Sequence, residues 1–272
     1  MCVEDFGLHA GVNEAAVRLA AMDRVHALGC LVGGEGWSLA WNAVLRRLDT
    51  GGIDIGLHLD LTESPLLAGS RRRLPLLIGA SLLRRLDAGA IRAEIRAQLD
   101  SFEQVLGHGP AFVDGHQHVH QLPLVRRELL DELVGRYRDT LPWLRSTRPT
   151  CVEWKSMFKA RAIQLLGSRA LNATARRMGF GQNNHLLGVY DFEGGPERYR
   201  ELLGAWVRSA READLLMCHA GLRQPEGGDP LAAAREAEYE VLAGSGFGAM
   251  LRDAGVALRP MSQILARRTR PA

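Results

Sequence analysis

The sequence predicts a single α/β domain over residues 1–272, built as a variant β/α (TIM-like) barrel with about seven to eight parallel strands. Three observations predict it. Short apolar runs alternate with helix-period stripes along the whole chain, which implies parallel strands joined by helical crossovers. The alternation repeats about seven or eight times, a count that favours a closed or nearly closed barrel over an open doubly wound sheet. No G-x-G-x-x-G follows the first strand, and no repeat, low-complexity tract or linker divides the chain.

The elements follow in order. A strand near Cys2–Asp5 precedes a helical stripe from about Asn13 to Leu28, with Asn13 as N-cap and Gly29 as stop. The apolar run Cys30-Leu31-Val32, closed by Gly33-Gly34, is the second strand. A helix near Leu39–Leu48 leads into a strand at Ile53–Leu61. Pro65 and Pro75 make Thr62–Gly89 a loop carrying a short helix. An amphipathic helix over Ile91–Leu106 is followed by a strand at Ala111–Asp114, a helix at Leu124–Tyr137, a strand at Trp143–Arg145 and a helix near Lys155–Met178. Two more pairs are Leu186–Val189 with Glu197–Arg211, and Asp214–Cys218 with Leu231–Leu242. A last strand near Val256–Arg259 precedes a C-terminal helix.

Composition removes several classes. Hydrophobic residues make up 46% and charged residues 24%, the balance of a globular protein with a sizeable core. The net charge is only +3, and the arginine runs 71–73 and 84–85 are short, so no nucleic-acid stripe is expected and these runs are taken as solvated surface. No stretch reaches the roughly 20 apolar residues of a membrane span, and no signal peptide is apparent. Cys2, Cys30, Cys151 and Cys218 form no C-x-x-C pair, which fits a reduced, cytoplasmic chain. Oligomeric state is open. A homodimer through the helix near Lys155–Met178 fits the pattern, although a barrel helix needs its apolar face for the core.

Chemistry concentrates where strands end, the rim that carries barrel active sites. Glu4-Asp5 sets two carboxylates at the end of the first strand. His58 closes an apolar strand in Gly56-Leu57-His58-Leu59-Asp60. Asp114-Gly115-His116-Gln117-His118-Val119-His120 places three of the nine histidines within five positions. If that run is extended, its alternate residues face one side and the histidines converge. Two imidazoles and a carboxylate are a common ligand set for zinc, iron(II) or a related divalent ion. Each piece alone has an ordinary explanation, as solvated acids or as a hydrogen-bonded core histidine. The combination at one rim points to a metal centre. His219, delivered by the apolar run Leu215–Cys218, is either a buried structural histidine or a general acid. Arg145 is either a surface residue or a partner that lowers carboxylate pKa values.

The motifs D-F-G-L at 5–8, G-L-H-L-D-L-T at 56–62, D-G-H-Q-H-V-H at 114–120 and M-C-H-A-G at 217–221 together resemble, in order, those of the YdjC-like carbohydrate deacetylase family. The resemblance extends to Arg235 and Glu238 in R-E-A-E-Y-E-V-L. It implies a variant β/α barrel that removes an N-acetyl group from an amino sugar, either a chito-oligosaccharide or a glycolipid head group. It implies a divalent metal ion, zinc or magnesium, on Asp5, His58 and His116, with His118 and His120 in support. Glu4 then takes a proton from water and His219 protonates the departing amine. Family members carry Asp-Asp before Phe-Gly-Leu, so Glu4 is one methylene longer than the usual base. A misplacement of about 1 Å can cost about a hundredfold in rate, so catalysis is expected to be re-tuned here. Only three residues precede Glu4, so either the first strand is short or the start of the sequence is truncated, and either would loosen the placement of Glu4 and Asp5. Two other readings stand beside this one: a metal- and sugar-binding protein without turnover, and a metal-dependent amidase on a non-sugar substrate. Trp37, Trp41 and Trp143 are core residues or sugar-stacking faces.

Overall fold

Strands buried on both faces need helices outside and packed side chains within. Every residue is buried in β1 (Cys2–Phe6), β2 (Ala27–Cys30), β3 (Asp54–Leu59), β4 (Phe112–Gly115), β5 (Trp143–Leu144), β6 (Leu186–Leu187) and β7 (Leu215–Cys218). The computed structural model describes residues 1–50, 52–150, 161–224 and 228–269. Its seven strands form one sheet in the order β5-β4-β3-β2-β1-β7-β6, and every neighbouring pair is parallel. Isolated parallel bridges link Leu144 of β5 to Gln182, and Pro149 to Leu186 of β6. The result is a curled half-barrel within the α/β architecture expected.

The helices are α1 (Ala10–Ala21), α2 (Leu39–Thr50), α3 (Leu74–Leu82), α4 (Ala88–Leu106), α5 (Pro123–Arg136), α6 (Arg169–Arg177), α7 (Gly195–Ser209), α8 (Ala232–Ala243), α9 (Ser245–Asp253) and α10 (Met261–Thr269). α4 shows why they pack where they do. Asp87 caps its first turn, Gly107 in the left-handed region ends it, and Ile95, Leu99 and Phe102 recur at helical spacing toward the core. Among the described residues no helix is long and apolar enough to cross a membrane.

Several expectations need correction. The second strand is Ala27–Cys30, because Cys2 and Val3 pair with Ala27 and Leu28. α1 therefore stops at Ala21, and Asp23, at φ 58°, turns the chain back. Its cap is His9, whose Nδ1 accepts from Val12 N at 3.4 Å. Asn13, expected as the cap, is buried and accepts from Gly7 N at 2.6 Å while donating to Gly36 O at 3.0 Å. No strand forms at 256–259, where Val256 N bonds back to Leu251 O instead. Of the expected helix near Lys155–Met178, residues 155–160 lie outside those described. The remainder carries a π-turn at Gln164–Ser168, with Gly167 at φ 134°, before α6. α9 was hidden in the sequence by Gly244, Gly246 and Gly248.

Candidate functional site

Adjacent residues of a regular strand point to opposite faces, so Glu4 and Asp5 could not share a site on a regular β1. β1 is not regular. From Val3 to Phe6 it advances three residues while β2 advances two, from Leu28 to Cys30, which is the signature of a bulge. Asp5 sits at φ 64°, a region a non-glycine residue occupies at some cost. The bulge turns both carboxylates toward the carboxyl ends of β3 and β4.

His58 projects from β3 and is fully buried. Its Nδ1 lies 2.7 Å from Asp114 Oδ1 on β4, which leaves Nε2 for the site. That Nε2 has no hydrogen-bond partner and faces Asp5 Oδ1 at 3.4 Å and Glu4 Oε2 at 3.6 Å. His116 follows β4, with Nδ1 3.0 Å from Asp5 Oδ1. One donor atom from each of Asp5, His58 and His116 falls within 4.8 Å of the others. An orphaned imidazole nitrogen beside a carboxylate, itself backed by a second carboxylate, suits a divalent cation with its outer-shell support in place.

The run from His116 to Gln121 is not extended, which corrects the expected convergence of three histidines. It is a 3₁₀ turn with Gln117 at φ 49° and His118 at φ 61°. Gly115 makes the turn possible, because a Cβ there would lie 2.8 Å from His120 N. Only His116 reaches the carboxylate of Asp5. His118 Nδ1 lies 3.2 Å from Arg145 Nη2, and His120 Nε2 lies 3.1 Å from Arg145 O. Burial and the Arg145 charge hold His118 well below the ordinary imidazole range and His120 down to about 3, so both are neutral props.

Arg145 is fully buried behind the centre. Its Nη1 pairs with Glu4 Oε1 and, at 2.7 Å, with Asp114 Oδ2, and its Nη2 donates to Gly115 O at 2.9 Å. The surface alternative for Arg145 is thereby corrected. Burial works against the Asp114 charge, but Arg145 and His58 hold that carboxyl below its ordinary value. His219 leaves β7 on the other side of Glu4, with Nε2 3.6 Å from Glu4 Oε2. Glu238 on α8 accepts from His219 N at 2.5 Å and from Tyr190 OH at 2.8 Å, and its Oε1 lies 3.8 Å from His219 Nδ1. Phe192 packs edge-on against the His219 ring, with centroids 5.0 Å apart. Burial lowers the His219 pKa, yet Glu238 and Glu4 prevail and raise it.

Arg235 completes the cluster, with Nη2 2.7 Å from Asp5 Oδ2, Nε 2.6 Å from Asp229 Oδ2, and Nη1 donating to His219 O at 3.1 Å. Burial opposes the charge on Asp5, but Arg235, His116 and His58 hold its carboxyl well below the usual range. The carboxylates of Glu4, Asp5, Asp114, Asp229 and Glu238 thus gather around the two guanidinium groups of Arg145 and Arg235. With neutral imidazoles the carboxylates outnumber the guanidinium groups, an excess of negative charge that a dication would offset. Without one, burial would lower the His58 pKa, but Asp114, Asp5 and Glu4 lift it to about 10.

All six residues singled out in the sequence therefore meet at one rim. Asp114 was visible only as part of its motif, and Asp229, Tyr190 and Phe192 carried no local signal. Trp37 stacks on Phe102, Trp41 packs edge-on against Phe6, and Trp143 stacks on Phe112 while donating to Asp54 at 3.0 Å, so all three serve the core.

The sequence profile of the family described as YdjC-like protein matches residues 1–253. The chain is similar to a carbohydrate deacetylase of Homo sapiens, 31% identical over 133 residues, which is 44% of this chain and 40% of that one. It is similar to a chitooligosaccharide deacetylase of Serratia marcescens, 30% identical over 133 residues, covering 45% of this chain and 50% of that one. These matches span half or less of the relatives' own length. Among solved structures, a candidate cellobiose-phosphate cleavage protein of Enterococcus faecalis V583 superposes with a TM-score of 0.69 at 18% identity, covering 97% of both chains. A family 4 acetyl xylan esterase of Clostridium thermocellum, in complex with a cobalt ion, gives 0.52 at 12% identity, covering 99% of this chain and 91% of that one. At these identities the structural likeness establishes the fold.

Proposed function

The chain belongs to the YdjC-like protein family, and from that membership and the rim just described we propose that it is a metal-dependent hydrolase removing an N-acetyl group from an amino sugar. The single observation that carries the reading is the buried cluster of Asp5, His58 and His116 with Glu4 and His219 set against it. Similarity to relatives named for deacetylation of carbohydrates supports the substrate class.

Asp5, His58 and His116 would hold the cation, and two imidazoles beside one carboxylate favour a transition metal such as zinc over magnesium. A divalent cation in that place supplies Lewis acidity toward the acetamide carbonyl. The other roles fall to the protein's own groups. Glu4, fixed through Oε1 by Arg145, presents Oε2 between His58 and His219 and takes the proton from an attacking water. His219, its proton favoured by Glu238 and Glu4, gives that proton to the leaving amine. Asp114 orients His58, and Arg235 orients Asp5. Glu4 reaches this position despite its extra methylene, which supports turnover over a binding-only role. Among the described residues the buried free thiols Cys2, Cys30 and Cys218 fit a reducing compartment such as the cytoplasm.

The test is replacement of the ligands. His58→Ala and His116→Ala are expected to lose stoichiometric metal and at least a hundredfold in acetate release from N-acetylglucosamine oligomers. Full activity in either variant would remove the proposed ligand set.

A further inference from the structure

We propose that the outer face of α3, with the loop before it, is a docking surface for an anionic lipid membrane. A surface helix ordinarily turns its polar residues outward, but α3 buries Leu77 and Ser81 and has no polar side chain on its outer face. Its one hydroxyl residue, Ser81, is buried with no partner for Oγ, while Leu76 and Leu82 are 66% and 57% exposed and the C-cap Leu83 is 65% exposed. Among the described residues seven large hydrophobics are exposed, and five of them lie between Leu66 and Leu83, on this helix and the loop before it.

The patch is built rigidly. The buried Glu94 accepts from the backbone N–H groups of Leu66 and Leu67 at 2.7 and 2.9 Å, and the buried Asp60 accepts from those of Thr62, Glu63 and Ser64. Two buried carboxylates thus fix the loop that presents Leu66 and Leu67 to solvent.

Charge identifies the occupant. Arg71, Arg72, Arg73, Arg84 and Arg85 are all exposed, they bracket the helix, and no acid lies between residues 71 and 85. Arg71 pairs with Glu63 at 3.4 Å, whereas among the described residues the other four form no ion pair. Exposed leucines flanked by arginines are the pattern of an interfacial helix on an anionic surface, with the leucines in the acyl boundary and the guanidinium groups among the phosphates. The surface adjoins the candidate site. Gln117, next to His116, donates to Glu63 Oε1 at 3.4 Å at the base of the same loop.

The experiment is co-sedimentation of the full chain with vesicles of phosphatidylcholine, with and without phosphatidylserine. The protein is expected to pellet with the phosphatidylserine vesicles, and less so as salt rises. At about fivefold per arginine, Arg72→Glu with Arg73→Glu should lower partitioning at least about 25-fold. Leu76→Ser, Leu82→Ser and Leu83→Ser together should abolish it. All the replaced side chains are exposed, so circular dichroism and Tm should stay near wild type. If the leucine variant misfolds, the arginine variant and the phosphatidylserine dependence still decide. Absence of pelleting, or pelleting indifferent to phosphatidylserine or to both variants, overturns the proposal. So does a dimer that the leucine variant dissolves without any vesicle binding, which would assign the face to a second copy of this chain.

Discussion

Replacing Arg235 by Met keeps its bulk and deletes the charge that balances Asp5. Arg235 is only 3% exposed, and the change leaves Asp5 Oδ2 without its 2.7 Å partner, Asp229 Oδ2 without its 2.6 Å partner, and the His219 carbonyl without a donor. Removing one member of a buried ion pair costs about 3–5 kcal/mol, because the remaining charge stays buried. Asp5 keeps His116 at 3.0 Å and His58 at 3.4 Å, and Asp229 keeps His9 at 3.3 Å, so the lower end applies. About 3 kcal/mol corresponds to a Tm drop of about 6–12 °C for a chain of this size. Calorimetry of the metal-free proteins measures it. Asp5→Asn removes the stranded charge, so Asp5→Asn with Arg235→Met should destabilise by clearly less than the sum of the single changes. Zinc should raise the Tm of Arg235→Met more than that of wild type, since the cation meets a larger negative excess. A loss below about 1 kcal/mol, or strict additivity with Asp5→Asn, would refute the pairing as the support of Asp5.

Asp114→Asn keeps a hydrogen-bond acceptor for His58 Nδ1 but removes its charge, and should weaken metal affinity about 10–100-fold in a competition titration; unchanged affinity would deny Asp114 its supporting role. Glu4→Asp draws the carboxylate one methylene back from Arg145 and His219 and is expected to lower kcat for acetate release, whereas a higher kcat would show that the longer side chain misplaces the base. Burial raises the Asp229 pKa, but His9 and Arg235 prevail and hold it to about 2, against roughly 3.9 in an unfolded chain. Its contribution to stability is therefore complete above about pH 4 and fades as pH falls toward 2. The Tm gap between wild type and Asp229→Asn should close over that window, and a constant gap would contradict it.

Much of this was legible in the sequence, for identifiable reasons. Strands buried on both faces leave continuous apolar runs, so Ile53–Leu61 and Ala111–Asp114 fell within a residue or two of β3 and β4. The candidate ligands stood out because each lies at or near the end of such a run. The bulge in β1 was not legible, since nothing in Cys2–Phe6 marks it, yet it alone lets Glu4 and Asp5 share one rim. Alternation in His116–His120 suggested an extended strand, but the backbone turns on Gln117 and His118 in the left-handed region, an arrangement set by tertiary contact with Arg145. Arg235 and Glu238 lie three apart on one helix face, and only the packing of α8 beside β1 and β7 gives them Asp5 and His219 as partners. The strand-like pattern at 256–259 shows the limit of periodicity, because alternate burial forms without any strand to pair with.

The most direct test of the central claim is acetate release from N-acetylglucosamine oligomers by the purified protein, with its metal content measured in the same sample, before and after chelation and after metal is restored. The account predicts about one divalent ion per chain, release that chelation abolishes, and recovery when zinc is returned. Release that persists in metal-free protein, or a chain that binds no divalent ion, would contradict it.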